Sequence, residues 1–447
     1  MPKYNIDINK VYDLPKDIKI IHFKDVYLAI AVNFANWIVL TSSGQVDVLE
    51  YFRLGHSIQD ALNNPKLLSS DINYTVMQIE ARKLQNKRVH SITCNKRSLH
   101  LYLTNKCNLA CPHCYMFSGK PNDRELTTEE VCKLLYDYKL VAKGTNVTFS
   151  GGEPTSRIDF VQIIQYAHEL GLRVKVLTNG VLLSIDQLEE VCKFIDSVQV
   201  SIDGFSEESN AVIRGRNSFK KALASVEKFV SHNIDTSVAI TPPISELRNH
   251  VKDYADFAQY LASKYENYKF DIKFAEGLIH GRNIKPSALY NKEYHNLMSE
   301  LQESLYGSEY EVESFAETFY DNVILDNCMF GVFAVASNGD VYFCPQIGDL
   351  SPIANIRTTP FAEICNESFF AEKATTISNL KPCNECELKY ICGGGCRIKE
   401  FPMLTQRSTF VGFNPDDISP RQCSIDVKDK FYNLMIRSNR YLFKPID

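Results

Sequence analysis

Apolar residues in the middle of the chain occur in six short runs, and longer amphipathic segments separate them. The runs, each five to seven residues long, are 99–104, 146–150, 173–177, 197–202, 236–241 and 269–275. The segments with helical spacing are 127–142, 160–170, 185–194, 218–231 and 246–264. Short buried runs that alternate with helices are typical of the strands of a parallel sheet. The pattern therefore predicts an α/β fold over this part of the chain.

The first 95 residues show a different pattern, in which strands come first and helices follow. Runs rich in Ile, Val and aromatic residues predict strands at 18–21, 27–32 and 37–41. Helices are predicted from Ser43 to Gly55, from Ser57 through Leu62, and over 71–84. This is the order of elements in a winged helix. A DNA-binding domain and a plain packing domain are two possible interpretations of it. The third helix is not rich in Lys or Arg, which argues against DNA.

Composition and charge narrow the class of protein. The 447 residues carry a formal net charge of −5 and form no basic stripe, so we expect no nucleic-acid partner. The longest apolar run, 28–40, is interrupted by Asn33 and Asn36 and is too short to span a bilayer. The first ten residues lack a signal-peptide pattern. We therefore expect a cytoplasmic protein without a membrane partner, and its 14 cysteines then indicate metal ligands rather than disulfides.

A cysteine loop follows the first predicted strand of the α/β region. Cys107, Cys111 and Cys114 have the spacing C-x3-C-x2-C, and Tyr115 comes next. Thiolates favour iron–sulfur clusters and zinc. A cubane cluster has four irons, so three cysteines leave one iron open to a small molecule with an amine and a carboxylate. A structural zinc loop is the alternative, although zinc sites usually pair two C-x2-C units.

This loop, together with Ser-Gly-Gly-Glu-Pro at 150–154, resembles the signature of the radical S-adenosylmethionine (radical SAM) superfamily. The resemblance implies a partial (β/α)6 barrel with its chemistry at the C-terminal ends of the strands. It implies that Cys107, Cys111 and Cys114 hold a [4Fe-4S] cluster whose open iron binds S-adenosylmethionine. It also implies that Tyr115 lies near the adenine of that cofactor.

Polar and glycine residues follow the predicted strands, where this resemblance expects cofactor contacts. Gly151 and Gly152 allow the backbone to approach a ligand closely, and Glu153 is expected to accept from the amino group of the cofactor. Later strands are followed by further candidate contacts to the ribose and the methionyl carboxylate. These candidates are Asn179, Ser201, Asp203 and Arg214.

A second cysteine set occupies the C-terminal third. Asn338-Gly339 predicts a hairpin turn between 332–336 and 341–343, which brings Cys328 and Cys344 towards one end of the hairpin. The remaining members of the set are Cys383, Cys386, Cys392, Cys396 and Cys423. Two zinc knuckles are one interpretation of the seven.

The seven spacings resemble the SPASM domain, which carries two auxiliary cubane clusters in radical SAM enzymes that act on peptides and proteins. The resemblance assigns Cys383, Cys386, Cys392 and Cys423 to an outer cluster and Cys328, Cys344 and Cys396 to an inner one. Seven ligands do not fill eight places, and residues 205–327 contain no cysteine. We therefore expect an open iron on the inner cluster, unless Cys365 or a non-cysteine side chain fills it.

The order of strands and helices in residues 1–95, and their position, resemble the winged-helix-like leader-peptide recognition element of enzymes that modify ribosomally made peptides. With the resemblances above, this gives four segments: that recognition element (1–95), a radical SAM partial barrel (96–285), a bridge (286–320) and a SPASM domain (321–447). The resemblance implies a peptide maturase with S-adenosylmethionine and three [4Fe-4S] clusters, a precursor peptide as substrate, and a reductant such as flavodoxin or ferredoxin.

The bond that such a maturase forms stays open at this point. The open inner iron favours thioether crosslinks from Cys sulfur to carbon. Carbon–carbon or carbon–oxygen crosslinking, formylglycine formation of the sulfatase-maturase type, and an electron-transfer protein without radical turnover are the alternatives. The intact Gly-Gly-Glu motif argues against the last of these, because a mere carrier has no need of an amine site.

Overall fold

A computed structural model describes residues 6–91, 98–275, 277, 280–348, 350–401, 403–404, 409–419 and 421–443. Cys94, in the predicted linker before the α/β region, lies outside these residues. No helix in the described part of the chain combines the length and the apolar character needed to cross a bilayer.

An antiparallel three-stranded sheet opens the chain. Its strands are β1 (Ile18–Phe23), β2 (Val26–Ala31) and β3 (Asn36–Leu40). The helices that follow are α1 (Ser43–Arg53), α2 (Ile58–Leu62) and α3 (Ser69–Ala81). Ser57 begins α2 with a capping box to Asp60, as its residue type favours. The predicted order of strands and helices is present, and the winged-helix assignment stays a prediction.

The central sheet contains the six predicted strands as parallel neighbours in chain order. They are β5 (Ser98–Thr104), β6 (Asn146–Gly151), β7 (Arg173–Thr178), β8 (Ser197–Ser201), β9 (Asp235–Ile240) and β10 (Phe270–Phe274). The helices between them are α4 (Thr128–Val141), α5 (Phe160–Glu169), α6 (Ile185–Cys192), α7 (Glu207–Arg214), α8 (Phe219–Ser231) and α9 (Ile244–Lys264). Thr127 caps α4 through the box with Glu130 that the sequence predicts. The parallel α/β prediction is confirmed.

The cysteine-rich region extends this sheet. The predicted hairpin forms β12 (Phe333–Val335) and β13 (Asp340–Tyr342), and β14 (Ala354–Asn355) pairs next to it. β12 lies parallel to β5, with Phe333 opposite Leu99, so the sheet has nine strands. Among the described residues, a short parallel pair, β4 (His90–Ser91) with β11 (Val323–Ile324), forms apart from it. The sequence did not predict the pairing of β12 with β5.

Helices complete the C-terminal part. They are α10 (Ala288–Tyr306), α11 (Tyr310–Phe319), α12 (Phe361–Ala374), α13 (Lys389–Cys392), α14 (Arg397–Glu400) and α15 (Ile425–Ser438). Among them, α11, α13 and α15 pack against the N-terminal sheet. Trp37 of β3 is fully buried, and its ring centroid lies 5.7 Å from those of Phe315 and Phe319 on α11. Its indole nitrogen donates to the backbone oxygen of Met435 on α15, at 3.0 Å. The N-terminal sheet and the C-terminal helices therefore share one apolar core.

Candidate active site

The cysteine loop leaves the C-terminal end of β5 and is held by backbone hydrogen bonds. The amide of Cys107 donates to the oxygen of Gly119 at 3.0 Å, and the amide of Gly119 donates to Asn105 at 2.9 Å. Burial raises the pKa of the Cys107 thiol to about 11, and the neighbouring Glu153 carboxylate and the thiols of Cys111 and Cys114 add to the rise. The three predicted ligands thus lie together beside Glu153. Metal binding here displaces the thiol protons, since the thiolate is the ligand.

Arg282, which the sequence analysis did not single out, clamps this loop. It follows β10, and its amide donates to the backbone oxygen of Cys114 at 3.1 Å. Its guanidinium donates to the oxygen of Cys111 at 3.3 Å and also to that of Ser118. No sequence signal marked this residue, because an isolated Arg after a strand has many uses. A residue beyond β10, the last strand of the parallel run, thereby holds the cysteine loop that follows β5, the first strand of that run.

Gly151 and Gly152 allow two backbone segments of the chain to pack closely. A Cβ on Gly152 would lie 2.4 Å from the oxygen of Lys106, and one on Gly151 would lie 2.3 Å from the oxygen of Thr104. The amide of Gly152 donates to that Thr104 oxygen at 2.7 Å. The expected close approach is therefore one between the end of β6 and the start of the cysteine loop. Contact with a cofactor stays a prediction for both glycines.

Glu153 is fully buried and its orientation is fixed by hydrogen bonds. Its Oε1 accepts from the hydroxyls of Thr155 and Thr178 at 2.6 and 2.7 Å and from the amide of Thr155 at 3.2 Å. Its Oε2 accepts from the amide of Asn179 at 2.7 Å. Burial raises the pKa of this carboxyl. Among the described residues Oε2 has a single donor, which leaves a lone pair for the ammonium that the sequence analysis expects there.

Asn179 and Ser201 differ in how the chain uses them. The side-chain amide of Asn179 donates to Asn108 in the cysteine loop at 2.8 Å, and its oxygen accepts from the amide of Val181. Ser201 ends β8 and is half-buried, and its hydroxyl bonds to no other described residue. Ser201 is thus the more available of the two for a ligand.

Asp203 and Arg214, both expected to contact a cofactor, are paired with each other. Arg214 Nε lies 2.6 Å from Asp203 Oδ2, and the two side chains are 11% and 1% exposed. The other carboxylate oxygen of Asp203 accepts from the amide of Thr241 at 2.9 Å. His113 Nε2 lies 3.4 Å from Asp203 Oδ2, so this loop residue is part of the site rather than solvated. The cationic Arg214 also lies near Cys111 and opposes the rise in the pKa of that thiol that burial causes.

The C-terminal cysteines lie in two groups. A cavity of about 210 Å³ is lined by Cys383, Cys386, Cys392 and Cys423. Burial raises the pKa of Cys344 to about 12, and the thiols of Cys328 and Cys396 contribute. No three His, Cys, Asp or Glu side chains in the described ranges converge tightly enough for a single ion. In a cubane cluster each cysteine binds a different iron, so the sulfurs need not converge on one point.

Cys365 lies apart from both groups. It is half-buried on α12, next to the Tyr138 ring of α4. Burial alone raises the pKa of its thiol to about 11. The pKa of Cys344, by contrast, is raised by burial and also by the neighbouring thiols of Cys328 and Cys396. The structure therefore gives no support to Cys365 as the eighth ligand.

Tyr115 lies between the cysteine loop and the inner group. The pKa of its phenol is raised chiefly by burial, and the thiols of Cys114 and Cys344 both add to the rise. Its hydroxyl lies 3.2 Å from that of Tyr102, which donates to the oxygen of Pro345. A cavity of about 460 Å³, which we call the junction cavity, opens beside it. Its lining residues are Tyr115, His280, Lys285, Pro286, Asn291, Gln346, Gly348, Leu350, Ile398 and Lys399.

Sequence profiles and relatives agree with this geometry. The profile of the radical SAM superfamily matches residues 101–258, and that of the SPASM iron–sulfur cluster-binding domain matches residues 327–387. The chain is 28% identical to the mycofactocin maturase MftC of Mycolicibacterium smegmatis over 312 residues, which cover 67% of this chain and 77% of that protein.

Two solved structures share the fold. Native anSMEcpe with bound AdoMet and Cp18Cys peptide matches with a TM-score of 0.52 and 20% identity, over 77% of this chain and 98% of that one. Streptococcus suis SuiB matches with a TM-score of 0.51 and 15% identity, over 92% of this chain and 100% of that one. The profiles, the relative and the cysteine loop at the end of β5 together identify the chain as a radical SAM enzyme that carries a SPASM domain.

Proposed function

We propose that the chain is a peptide maturase that forms thioether crosslinks in a ribosomally made precursor. The observation that carries this proposal is the position of Tyr115, because the thiols of Cys114 and Cys344 both contribute to the rise in the pKa of its phenol. The junction cavity is lined by Tyr115, which follows Cys114 in the chain, and by Gln346, whose amide donates to the Cys344 sulfur at 3.5 Å. A substrate in that cavity would therefore lie near both cysteine groups. The similarity to MftC, which is a maturase, and to anSMEcpe, which was solved with a bound peptide, supports a peptide as that substrate.

The residues of the chain divide the work. The cysteine loop holds the first cluster, Glu153 and Ser201 bind and orient the cofactor, and the Asp203–Arg214 pair sets the charge beside Cys111. Cys328, Cys344 and Cys396 hold the inner cluster, and the outer group leads from there to the surface, where Cys423 is exposed. When bound, the cofactor supplies a 5′-deoxyadenosyl radical that takes a hydrogen atom from carbon, and the clusters accept the electron released when sulfur joins carbon and the thiol proton leaves.

The three-cysteine inner group favours the thioether over other bonds. Cys328, Cys344 and Cys396 would supply three ligands for four irons, so a substrate thiol would be a suitable ligand for the remaining iron. Such coordination would lower the pKa of the thiol and hold it in place. A carbon–carbon or carbon–oxygen crosslink requires no such iron.

Anaerobic reaction with a Cys-containing precursor peptide tests this proposal. We expect a product lighter by two hydrogens per crosslink, with fewer thiols that iodoacetamide can alkylate. Cys107→Ala should abolish both 5′-deoxyadenosine and product, while Cys365→Ala, away from both groups, should retain them. A product that is lighter by two hydrogens but keeps all its thiols would refute the thioether and indicate a carbon–carbon or carbon–oxygen bond.

For the leader of the precursor we propose the outer edge of β1 as docking site. The edge of β3 is covered, because Gln78 of α3 accepts from the amide of Val39 at 3.4 Å and Arg82 donates to the oxygen of Trp37 at 3.1 Å. β1 pairs with β2 on one side and with no other strand among the described residues. An added peptide strand can use such an edge. Hydrogen exchange with a synthetic leader should protect amides of β1, and protection confined to β3 and α3 would contradict this site.

A further inference from the structure

The junction cavity differs in charge from the rest of the molecule. Lys285 and Lys399 line it from two elements, Lys285 before α10 and Lys399 within α14. No Asp or Glu is among its lining residues within the described ranges, although acidic residues outnumber basic ones in the whole chain, 54 to 49. Four other cavities in the described part of the chain each contain at least one carboxylate. The junction cavity differs from these four in its basic character.

The two lysines have no acidic partner among the described residues. Both are exposed, and neither forms an ion pair or a side-chain hydrogen bond there. The nearest acidic residue along the chain, Glu400, is paired with Arg421 at 2.8 Å. An ammonium group without a partner in a partly enclosed cavity attracts a mobile anion, because the concave wall excludes part of the water that screens charge.

The start of α10 adds to this preference. Asn291, in the first turn of α10, also lines the cavity and carries no charge. The N-terminal end of the 19-residue α10 also carries partial positive charge, which favours an anion nearby.

From these observations we infer that the junction cavity binds an acidic side chain, Asp or Glu, beside the substrate residue that is modified. The inference rests on the proposed function, because it assumes that a peptide enters this cavity. It goes further in naming the sequence context that the enzyme selects. Lys285 and Lys399 are specificity-determining residues in this account.

Binding of two short peptides to the anaerobic holoenzyme with S-adenosylmethionine tests the inference. Both peptides are acetylated and amidated at their ends, and their sequences are Ala-Glu-Cys-Glu-Ala and Ala-Gln-Cys-Gln-Ala. Isothermal titration should give a Kd about three- to tenfold lower for the acidic peptide, since each exposed ion pair contributes modestly. The ratio should fall towards one as salt is raised to 0.5 M, because exposed charges are screened.

Variants assign the effect to the cavity. The double variant Lys285→Gln/Lys399→Gln should bind both peptides equally, and Lys285→Arg/Lys399→Arg should keep the preference. Lys292→Gln removes an exposed lysine from the same helix as Asn291 but outside the cavity, and it should bind like the unaltered enzyme. Far-UV circular dichroism and iron content per chain identify a variant that failed to fold.

The outcomes separate this inference from the proposed function. Equal Kd values for the two peptides in the unaltered enzyme, or a preference that survives in the double Gln variant, would overturn the inference. Thioether formation in a precursor regardless of its charge would leave the proposed function standing without the inference. Charge-selective binding without any crosslinked product would support the inference and refute the thioether reaction.

Discussion

Gly152→Ala tests whether the glycines after β6 fix the cysteine loop. The added Cβ would lie 2.4 Å from the oxygen of Lys106 and 2.7 Å from that of Asn105. Both atoms belong to the backbone that leads into Cys107, so the contact with Lys106 must open by about 0.6 Å to reach the 3.0 Å below which Cβ atoms essentially never come. Overpacking of this kind costs about 1–3 kcal/mol. Unlike Gly151, this residue has no positive φ, so the effect is steric alone.

The strain acts on the backbone next to Cys107, the first predicted cluster ligand, so we expect effects on both stability and activity. A loss of about 1–3 kcal/mol lowers the Tm by about 2–12 °C for a domain of this size. Displacement of Cys107 by a fraction of an ångström should slow formation of 5′-deoxyadenosine by about 10- to 100-fold. Tm by differential scanning fluorimetry, iron per chain, and anaerobic chromatography of 5′-deoxyadenosine are the three measurements.

Gly119→Ala is the matched control, because it adds a Cβ to the same loop at a position where that Cβ contacts no other atom. A Cβ on Gly119 meets no atom within 4 Å, and the amide that donates to Asn105 is kept. This variant should match the unaltered enzyme in all three measurements. If Gly152→Ala also matched it, the glycine would not be needed for packing, and the account of the end of β6 given above would be wrong.

Three further predictions follow from contacts elsewhere in the chain. Arg397→Met should lower the free energy of unfolding by about 3–5 kcal/mol, measured by urea denaturation, because the buried guanidinium donates to four backbone oxygens at 2.8–3.0 Å; Arg397→Lys should lose less. Cys365→Ala should leave iron per chain unchanged, while Cys396→Ala lowers it; equal losses would place Cys365 in a cluster. The hydrogen bond from Arg357 holds the pKa of Glu130 at about 2, so the destabilisation caused by Glu130→Gln should be full above about pH 4.5 and shrink as pH falls towards 2. Urea denaturation of the unaltered enzyme and the variant at several pH values measures this effect. A difference between their unfolding midpoints that stays constant from about pH 4.5 to about pH 2 would exclude the Arg357–Glu130 pair as its source.

The sequence predicted the elements well because each carries its own local signal. The runs at 146–150 and 173–177 are strands within one residue of the expected ends, and the capping box at Thr127 marks the start of α4. The assignment of the cysteines to two clusters came from the resemblance to the SPASM domain and not from spacing, because Cys396 follows Cys392 closely in the chain yet is assigned to the group of Cys328 and Cys344.

Contacts between distant segments left no such signal. The predicted ligand contacts of Asp203 and Arg214 rested on their positions after β8, and the structure pairs them because a buried carboxylate requires a cation. Arg282 clamps the cysteine loop from 168 residues beyond Cys114, and no pattern in its own neighbourhood indicates this contact. The pairing of β12 with β5 is likewise a tertiary choice that alternation of apolar residues does not encode.

The strand pairing between β12 and β5 has a consequence for how such an enzyme changes over time. Because main-chain hydrogen bonds join the two cysteine-bearing regions, their separation depends on backbone geometry and not on the identity of the side chains that border the junction cavity. Under the proposed function, substitutions at Lys285, Gln346 or Lys399 would therefore alter which peptide is accepted while the separation of the two cysteine-bearing regions stays constant. A new precursor would then require point changes alone, with the backbone between the two regions unchanged.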